Sequence, residues 1–270
     1  MELPRTETLD LELAQGWLTI WFNDPERRNP LTAARVAEIT ALCAHLQGRR
    51  DIRGVVFRGR GGIFCAGGDL KAFQDVFQSG ADRDAVQIAS REAGVMFDAV
   101  ARLPQFTVMA VEGAAMAGGL GLACAGDQVV AADGARFALS EVRIGLTPAQ
   151  IAPHLVARLG MTCARRLMLT GAMMDASRAW ALGLVDDLVE GPEGIADALD
   201  RARIDLAGAA PGAVAAIKAQ LAGLPTQTAE QRIAAAAESF ADRMLSDEAR
   251  DGIASFFEKR KPAWAGGEGA

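Results

Sequence analysis

The sequence predicts an α/β protein whose strands and helices alternate in the first part of the chain and give way to helices after Pro148. Two glycine-rich stretches carry most of that reading, Phe64-Cys-Ala-Gly-Gly-Asp-Leu-Lys71 and Glu112-Gly-Ala-Ala-Met-Ala-Gly-Gly-Leu-Gly-Leu-Ala123. Each follows a short apolar run with strand character, Gly54–Phe57 and Val108–Val111, and each opens into helical spacing. The third observation is the tail, where apolar residues recur at helical intervals with few strand-like runs.

Taken in order, Leu9 to Phe22 reads as a β-hairpin turning at Gln15-Gly16. A helix from Pro30 to about Leu46 follows, with Asn29 or its neighbour as cap and proline in the first turn. The strand Gly54–Phe57 leads into the first glycine turn, and the polar stretch Ser79 to Arg83 reads either as a flap beside a site or as a plain surface loop. A helix over Val86–Leu103 is stopped by Pro104, and Asp127–Ala131 and Arg136–Ala138 are further strands. Short helices at Ile151–Leu159, Cys163–Leu169 and Ser177–Leu182 are punctuated by Gly160, Gly171 and Gly183. Longer ones follow at Gly194–Ala207, Gly212–Leu221, Thr228–Leu245 and Asp247–Lys259. The division is drawn as a core over residues 1–195 and a helical region over 196–270.

A chain of 270 residues with 50% apolar composition can bury a large core. Its net charge of −6 argues against a nucleic-acid partner, which needs a broad basic face. No run is long and apolar enough for a membrane span, and Met1-Glu-Leu-Pro-Arg5 does not resemble a signal peptide. The four cysteines have no metal-type spacing and read as reduced thiols, so a cytoplasmic protein is expected. With only two histidines, no metal site is expected, and His154 is assigned a structural role.

A strand, a glycine turn and a helix together present free backbone N–H groups at a positive helix end. Two such turns suggest a pair of donors converging on one oxygen, the arrangement that stabilises an oxyanion. A dinucleotide fingerprint fits poorly, because Cys124 stands where its third glycine belongs. The plain alternative is that the glycines only permit close helix–sheet packing.

The segments Ile63-Phe-Cys-Ala-Gly-Gly-Asp-Leu70 and Ala110-Val-Glu-Gly-Ala-Ala-Met-Ala-Gly-Gly119 resemble the two signatures of the crotonase, or enoyl-CoA hydratase/isomerase, superfamily. The likeness extends through Arg28-Asn-Pro-Leu31, Phe137–Gly145, Ala164–Gly171, Ala181–Asp186 and Gly252–Pro262. It implies a crotonase (ClpP-like) fold: a repeated ββα spiral core with a C-terminal helical region that mediates trimerisation, two trimers often stacking into a hexamer. It also implies an acyl-CoA thioester as substrate, with CoA brought by the substrate and no separate cofactor.

By this resemblance the oxyanion donors are the N–H groups of Gly68 and Gly118, and Glu141 is the acid/base group. Arg27, Arg28, Ala66, Asp69, Leu70, Lys71, Gly121, Phe256 and Lys259 are the positions expected to contact CoA or substrate. The chain departs from the family pattern at Gly121, where hydratases commonly carry a second glutamate. The stretch after Pro148, Ala149-Gln-Ile-Ala-Pro153, also departs from the usual glycine-rich continuation. Together these features are similar to the branch that includes methylglutaconyl-CoA and isohexenylglutaconyl-CoA hydratases. The expected reaction is addition of water to a 2-enoyl-CoA. A Δ3,Δ2-enoyl-CoA isomerase, a non-catalytic acyl-CoA binder and a serine or cysteine hydrolase are the alternatives. The hydrolase is disfavoured because Cys65 has no evident base and no nucleophile-elbow motif occurs.

Overall fold

The computed structural model describes residues 2–265 apart from Ser79 and Ala81, so part of the polar stretch read as a flap or loop lies outside the described residues. The chain opens with β1 (Leu9–Ala14) and β2 (Trp17–Phe22), an antiparallel hairpin in register from Leu9 with Phe22 to Ala14 with Trp17. Its two turn residues, Gln15 and Gly16, both have positive φ (50° and 73°), which suits the twist of a tight hairpin.

Helix α1 (Ala33–Leu46) begins later than the sequence implies. Its cap is Thr32, whose hydroxyl accepts from the Arg35 N–H. Asn29 is not a cap: it is fully buried and has left-handed φ (55°), and its side chain serves three backbone groups. The chain continues through β3 (Gly54–Gly59), α2 (Leu70–Gln78), α3 (Arg83–Ala101), β4 (Phe106–Val111), β5 (Ala114–Met116) and α4 (Gly118–Ala125). Next come β6 (Gln128–Ala132), β7 (Arg136–Ala138) and α5 (Ala152–Thr170), the last broken at Gly160 (φ 72°, ψ 159°), where the sequence reading separates two helices. Then follow β8 (Met174–Asp175), α6 (Ala176–Ala181), β9 (Asp187–Val189), α7 (Glu193–Ala207), α8 (Pro211–Gly223), α9 (Ala229–Met244) and α10 (Asp247–Glu258).

The strands form two sheets, ordered β1-β2-β3-β4-β6-β9 and β5-β7-β8. From β2 to β9 the larger sheet is parallel. Its central strands β3, β4 and β6 are buried on both faces, which explains their continuous apolar runs. Val55, Phe57, Met109 and Val129 face one cluster with residues of α1, α3 and α4. Their neighbours Val56, Val108, Ala110 and Val130 face the other, where α7 supplies Ile195, Ala198, Leu199 and Ala202. Helix α7 therefore runs unbroken across the division at 195/196 and covers the sheet. Among the described residues no helix is long and apolar enough to cross a membrane.

The helices after α7 are tied to the edge of the sheet where β3 and β4 begin. Arg53 donates to the carbonyls of Leu206 (3.0 Å), Ala209 (2.5 Å) and Trp264 (3.0 Å). The largely buried Lys218 of α8 pairs with Asp127 and also donates to the Gln105 carbonyl (2.8 Å) and the Thr107 hydroxyl (3.1 Å). Breaking such a pair from one side leaves an uncompensated charge, so Lys218→Ala should cost about 3 kcal/mol. It should also speed proteolytic cleavage between α7 and α8. A denaturation midpoint and digestion pattern equal to wild type would refute this anchoring role.

Candidate active site

Beyond β3 the chain makes a short 3-10 turn at Arg60–Gly62 and returns toward the hairpin through Ile63 and Phe64. Asn29 fixes this return, donating to the carbonyls of Arg60 (3.0 Å) and Ile63 (2.6 Å) and accepting from the Asp24 N–H (2.8 Å). Next, the Ala66 N–H donates to the Arg28 carbonyl (3.0 Å) and the Leu31 N–H to the Gly67 carbonyl (2.8 Å). Gly67 takes φ 95°, a conformation that side-chain-bearing residues rarely adopt. The following N–H, that of Gly68, meets no acceptor among the described residues. Phe73 of α2 stands over this position, its ring 2.9 Å from where a Gly68 Cβ would lie.

The second turn lies against the first. Cys65 pairs with Ala115, its N–H donating to Ala114 (3.0 Å) and its carbonyl accepting from Met116 (2.9 Å). Ala117 then adopts φ 48°, ψ −121°, a strained conformation for alanine, with its N–H donating to the Ala138 carbonyl (2.8 Å). That strain turns the chain into α4, whose first residue is Gly118. As the first N–H of a helix, the Gly118 donor has no partner within α4, and it carries the positive end of the helix dipole. A Cβ on Gly67 would come within 2.7 Å of the Ala117 Cβ and 3.4 Å of the Gly118 nitrogen. The two donor turns therefore touch through a position that only glycine can fill.

Glu141 arrives from the neighbouring strand. Met116 of β5 pairs with Ala138 of β7, and the chain after Ala138 enters a 3-10 turn at Ser140–Ile144, closed by Gly145 at φ 77°. One carboxylate oxygen of Glu141, Oε2, is buried with no hydrogen-bond partner. Burial pushes this carboxyl above the ordinary glutamate range, and only its own backbone N–H opposes the shift. A desolvated acid with one unpartnered oxygen, three residues beyond the anchor of the Gly118 turn, is suited to proton transfer.

A family model described as enoyl-CoA hydratase/isomerase matches residues 12–267. The chain belongs to that family. Among solved structures, Pseudomonas aeruginosa AtuE is 39% identical and superposes with a TM-score of 0.92, covering 96% of this chain and 100% of that one. The human mitochondrial enoyl-CoA hydratase domain-containing protein 2 is 32% identical over 93% of this chain and 86% of its own. The mevalonyl-coenzyme A hydratase SIDH of Beauveria bassiana is 30% identical over 97% of this chain and 96% of its own. The fold is accordingly the crotonase fold.

The sequence-derived positions divide between the two ends of the molecule. Arg27 pairs with Asp69 at 2.6 Å, and Asp69 accepts from the Ala72 N–H (3.3 Å) at the start of α2. Burial alone would raise the Asp69 carboxyl, but Arg27 and these N–H bonds hold it below its ordinary value. Arg28, Ala66, Leu70 and Lys71 lie on the same rim, with Arg28, Leu70 and Lys71 exposed. Phe256 and Lys259 do not join them. They sit at the end of α10, whose exit is held at Arg53, just before β3. The glycine turns follow the other end of that six-residue strand, about 20 Å away. Phe256 itself is 79% exposed.

Gly121 lies inside the packing rather than on the exposed rim. It is buried one turn along α4, and a Cβ there would lie 2.1 Å from Cγ2 of Ile151, itself 3% exposed. Sequence reading notes the unusual residues after Pro148 but not that one of them fills the space above Gly121. It also misses Ala117, whose backbone conformation leaves no compositional trace, and Phe73.

Gly121→Glu should therefore overpack, costing about 1–3 kcal/mol, and a second change, Ile151→Ala, should recover part of the loss. Chemical denaturation of both variants checks this, and a single variant as stable as wild type would refute it. Glu141 yields an opposite expectation. A carboxyl held above its unfolded value favours the fold below that value and loses the benefit as pH rises through the folded value. Glu141→Gln should raise the melting temperature at neutral pH, with the gain vanishing in acid. A neutral-pH midpoint unchanged or lowered would count against the desolvated acid.

Proposed function

We propose that this chain adds water to a 2-enoyl-CoA thioester, with Gly68 and Gly118 holding the carbonyl oxygen and Glu141 carrying the protons. The observation that supports this most directly is the contact of the two donor turns, with a carboxyl group that follows the strand pairing of one of them and has one buried, unpartnered oxygen. Glu141 as carboxylate takes a proton from water, and the resulting hydroxide adds to the β-carbon. The π electrons move onto the thioester oxygen as an enolate, held by the two N–H groups. Collapse of the enolate draws the same proton from Glu141 to the α-carbon, so atoms and charge balance. Each donor is worth on the order of 3 kcal/mol in such a transition state.

A substrate of glutaconyl type, branched and bearing a second carboxylate, is the acyl group we favour. Ile151 fills the space beside Gly121 and leaves no room there for a second acid, which supports a one-acid site, and a relative named for mevalonyl-CoA supports a branched acyl chain. The same single acid also suits a shift of the double bond between C3 and C2, the second reading. Exposed apolar residues on and between α9 and α10, including Ile233, Phe240, Leu245, Phe256 and Phe257, support assembly into trimers or hexamers. In such an assembly Phe256 and Lys259 of one copy reach the CoA site of another.

Turnover of a panel of enoyl- and glutaconyl-CoA esters in H2(18)O separates the readings: label in the product signals hydration, and a moved double bond without label signals isomerisation. Glu141→Gln should lower kcat by about 10²–10⁴ while leaving CoA-ester affinity nearly unchanged. The acidic limb of kcat/KM in the wild type should lie above the ordinary glutamate value of 4.5. Wild-type turnover in the variant, or a limb at or below that value, removes Glu141 from the chemistry. Replacing Lys259 and Lys261 with alanine should raise KM for CoA esters and flatten its salt dependence with kcat kept. An unchanged salt dependence would show that these lysines are only a solvated helix end.

A further inference from the structure

Behind the Gly68 donor runs a line of hydrogen bonds that begins at a buried cation. Arg35, in the first turn of α1, is 1% exposed. Its Nη1 donates to the Pro30 carbonyl (2.6 Å) and its Nη2 to the Thr8 carbonyl (3.2 Å). It forms no ion pair among the described residues, and its Nε has no acceptor. Phe22 presents its ring 5.5 Å from the guanidinium carbon, while Asp24 and Glu38 act on the charge only from a distance. An arginine stays charged, and burying one without a partnering carboxylate opposes folding. The location of that charge is informative.

The Pro30 carbonyl belongs to the same peptide unit as the Leu31 N–H, which donates to the Gly67 carbonyl at 2.8 Å. The Gly67 carbonyl in turn belongs to the same peptide unit as the Gly68 N–H. A buried cation, two peptide units in series and a vacant donor thus form one aligned chain. Hydrogen bonds in series polarise one another, the more so where water is excluded.

We infer that Arg35 is a positioning residue for the reaction: acting through the peptide units at Pro30–Leu31 and Gly67–Gly68, its charge aims the Gly68 N–H and strengthens it as a donor to the thioester oxygen. This rests on the two-donor reading given above. The nearby Cys65 and Asn29 fix where the loop runs, whereas Arg35 places a full charge at the head of the line.

The carbonyl stretch of a bound thioester reports donor strength directly. The full-length protein and its Arg35→Met and Arg35→Lys variants are each bound to butyryl-CoA carrying 13C at the thioester carbon, and difference infrared spectra are recorded. Binding to wild type lowers the carbonyl frequency relative to water. Arg35→Met reduces that shift by about 10–30%, the size of one cooperative step in a hydrogen-bond chain. Arg35→Lys retains it, and Kd for butyryl-CoA stays close to wild type in both. Should Arg35→Met fail to fold, Arg35→Gln replaces it, keeping a neutral donor without charge. Equal shifts in wild type and the uncharged variant, or equal losses in the charged and uncharged variants, overturn the role of Arg35 while leaving two donors in place. A wild-type frequency no lower than in water overturns the two-donor reading, and the inference with it.

Discussion

Everything in the site depends on one close approach, the passage of Gly67 over Ala117 and Gly118. Two main chains can come that near only where no side chain intervenes, and each is held there from behind. The first is fixed by Asn29 and by the Leu31 bond to Gly67, and the second by the Ala117 bond to Ala138. The cost appears locally, as positive φ at Asn29 and Ala117. Such strain persists only where surrounding contacts fix it, and here the bonds that hold each turn from behind supply those contacts.

Most of the fold was legible in the sequence because its signals are local. Gln15-Gly16 announces a hairpin turn, Gly171 and Gly183 end helices with positive φ, and Thr228 begins α9 with a reciprocal capping box. The strands β5, β8 and β9 were not visible, being two or three residues long and defined only by their partners. Asn29 illustrates the same limit. Placed before a proline it looks like a cap, yet its three hydrogen bonds reach Asp24, Arg60 and Ile63, which no local pattern connects. The candidate site divides likewise. Its glycines and Glu141 stand in recognisable motifs, whereas Ile151 and Arg35 matter through contacts made across the fold.

The parallel sheet gives the molecule two unlike ends. At one, the strands run out into the turns that carry the donors, as is usual for open α/β sheets. At the other, Arg53, Gln105, Thr107 and Asp127 hold the C-terminal helices through backbone carbonyls and a largely buried ion pair. The candidate site and the anchoring of the C-terminal helices thus lie at opposite ends of the sheet.

The fit of Ile151 against Gly121 bears on how such a site can change through descent. Residues 121 and 151 occupy one shared volume, so neither is free to grow while the other is unchanged. A lineage moving from this arrangement toward a bulkier residue 121 must first trim residue 151, and the intermediate carries a void. The reverse order passes through a collision. The two positions therefore form an ordered path with a cavity as its passable step, and neither drifts freely by single steps.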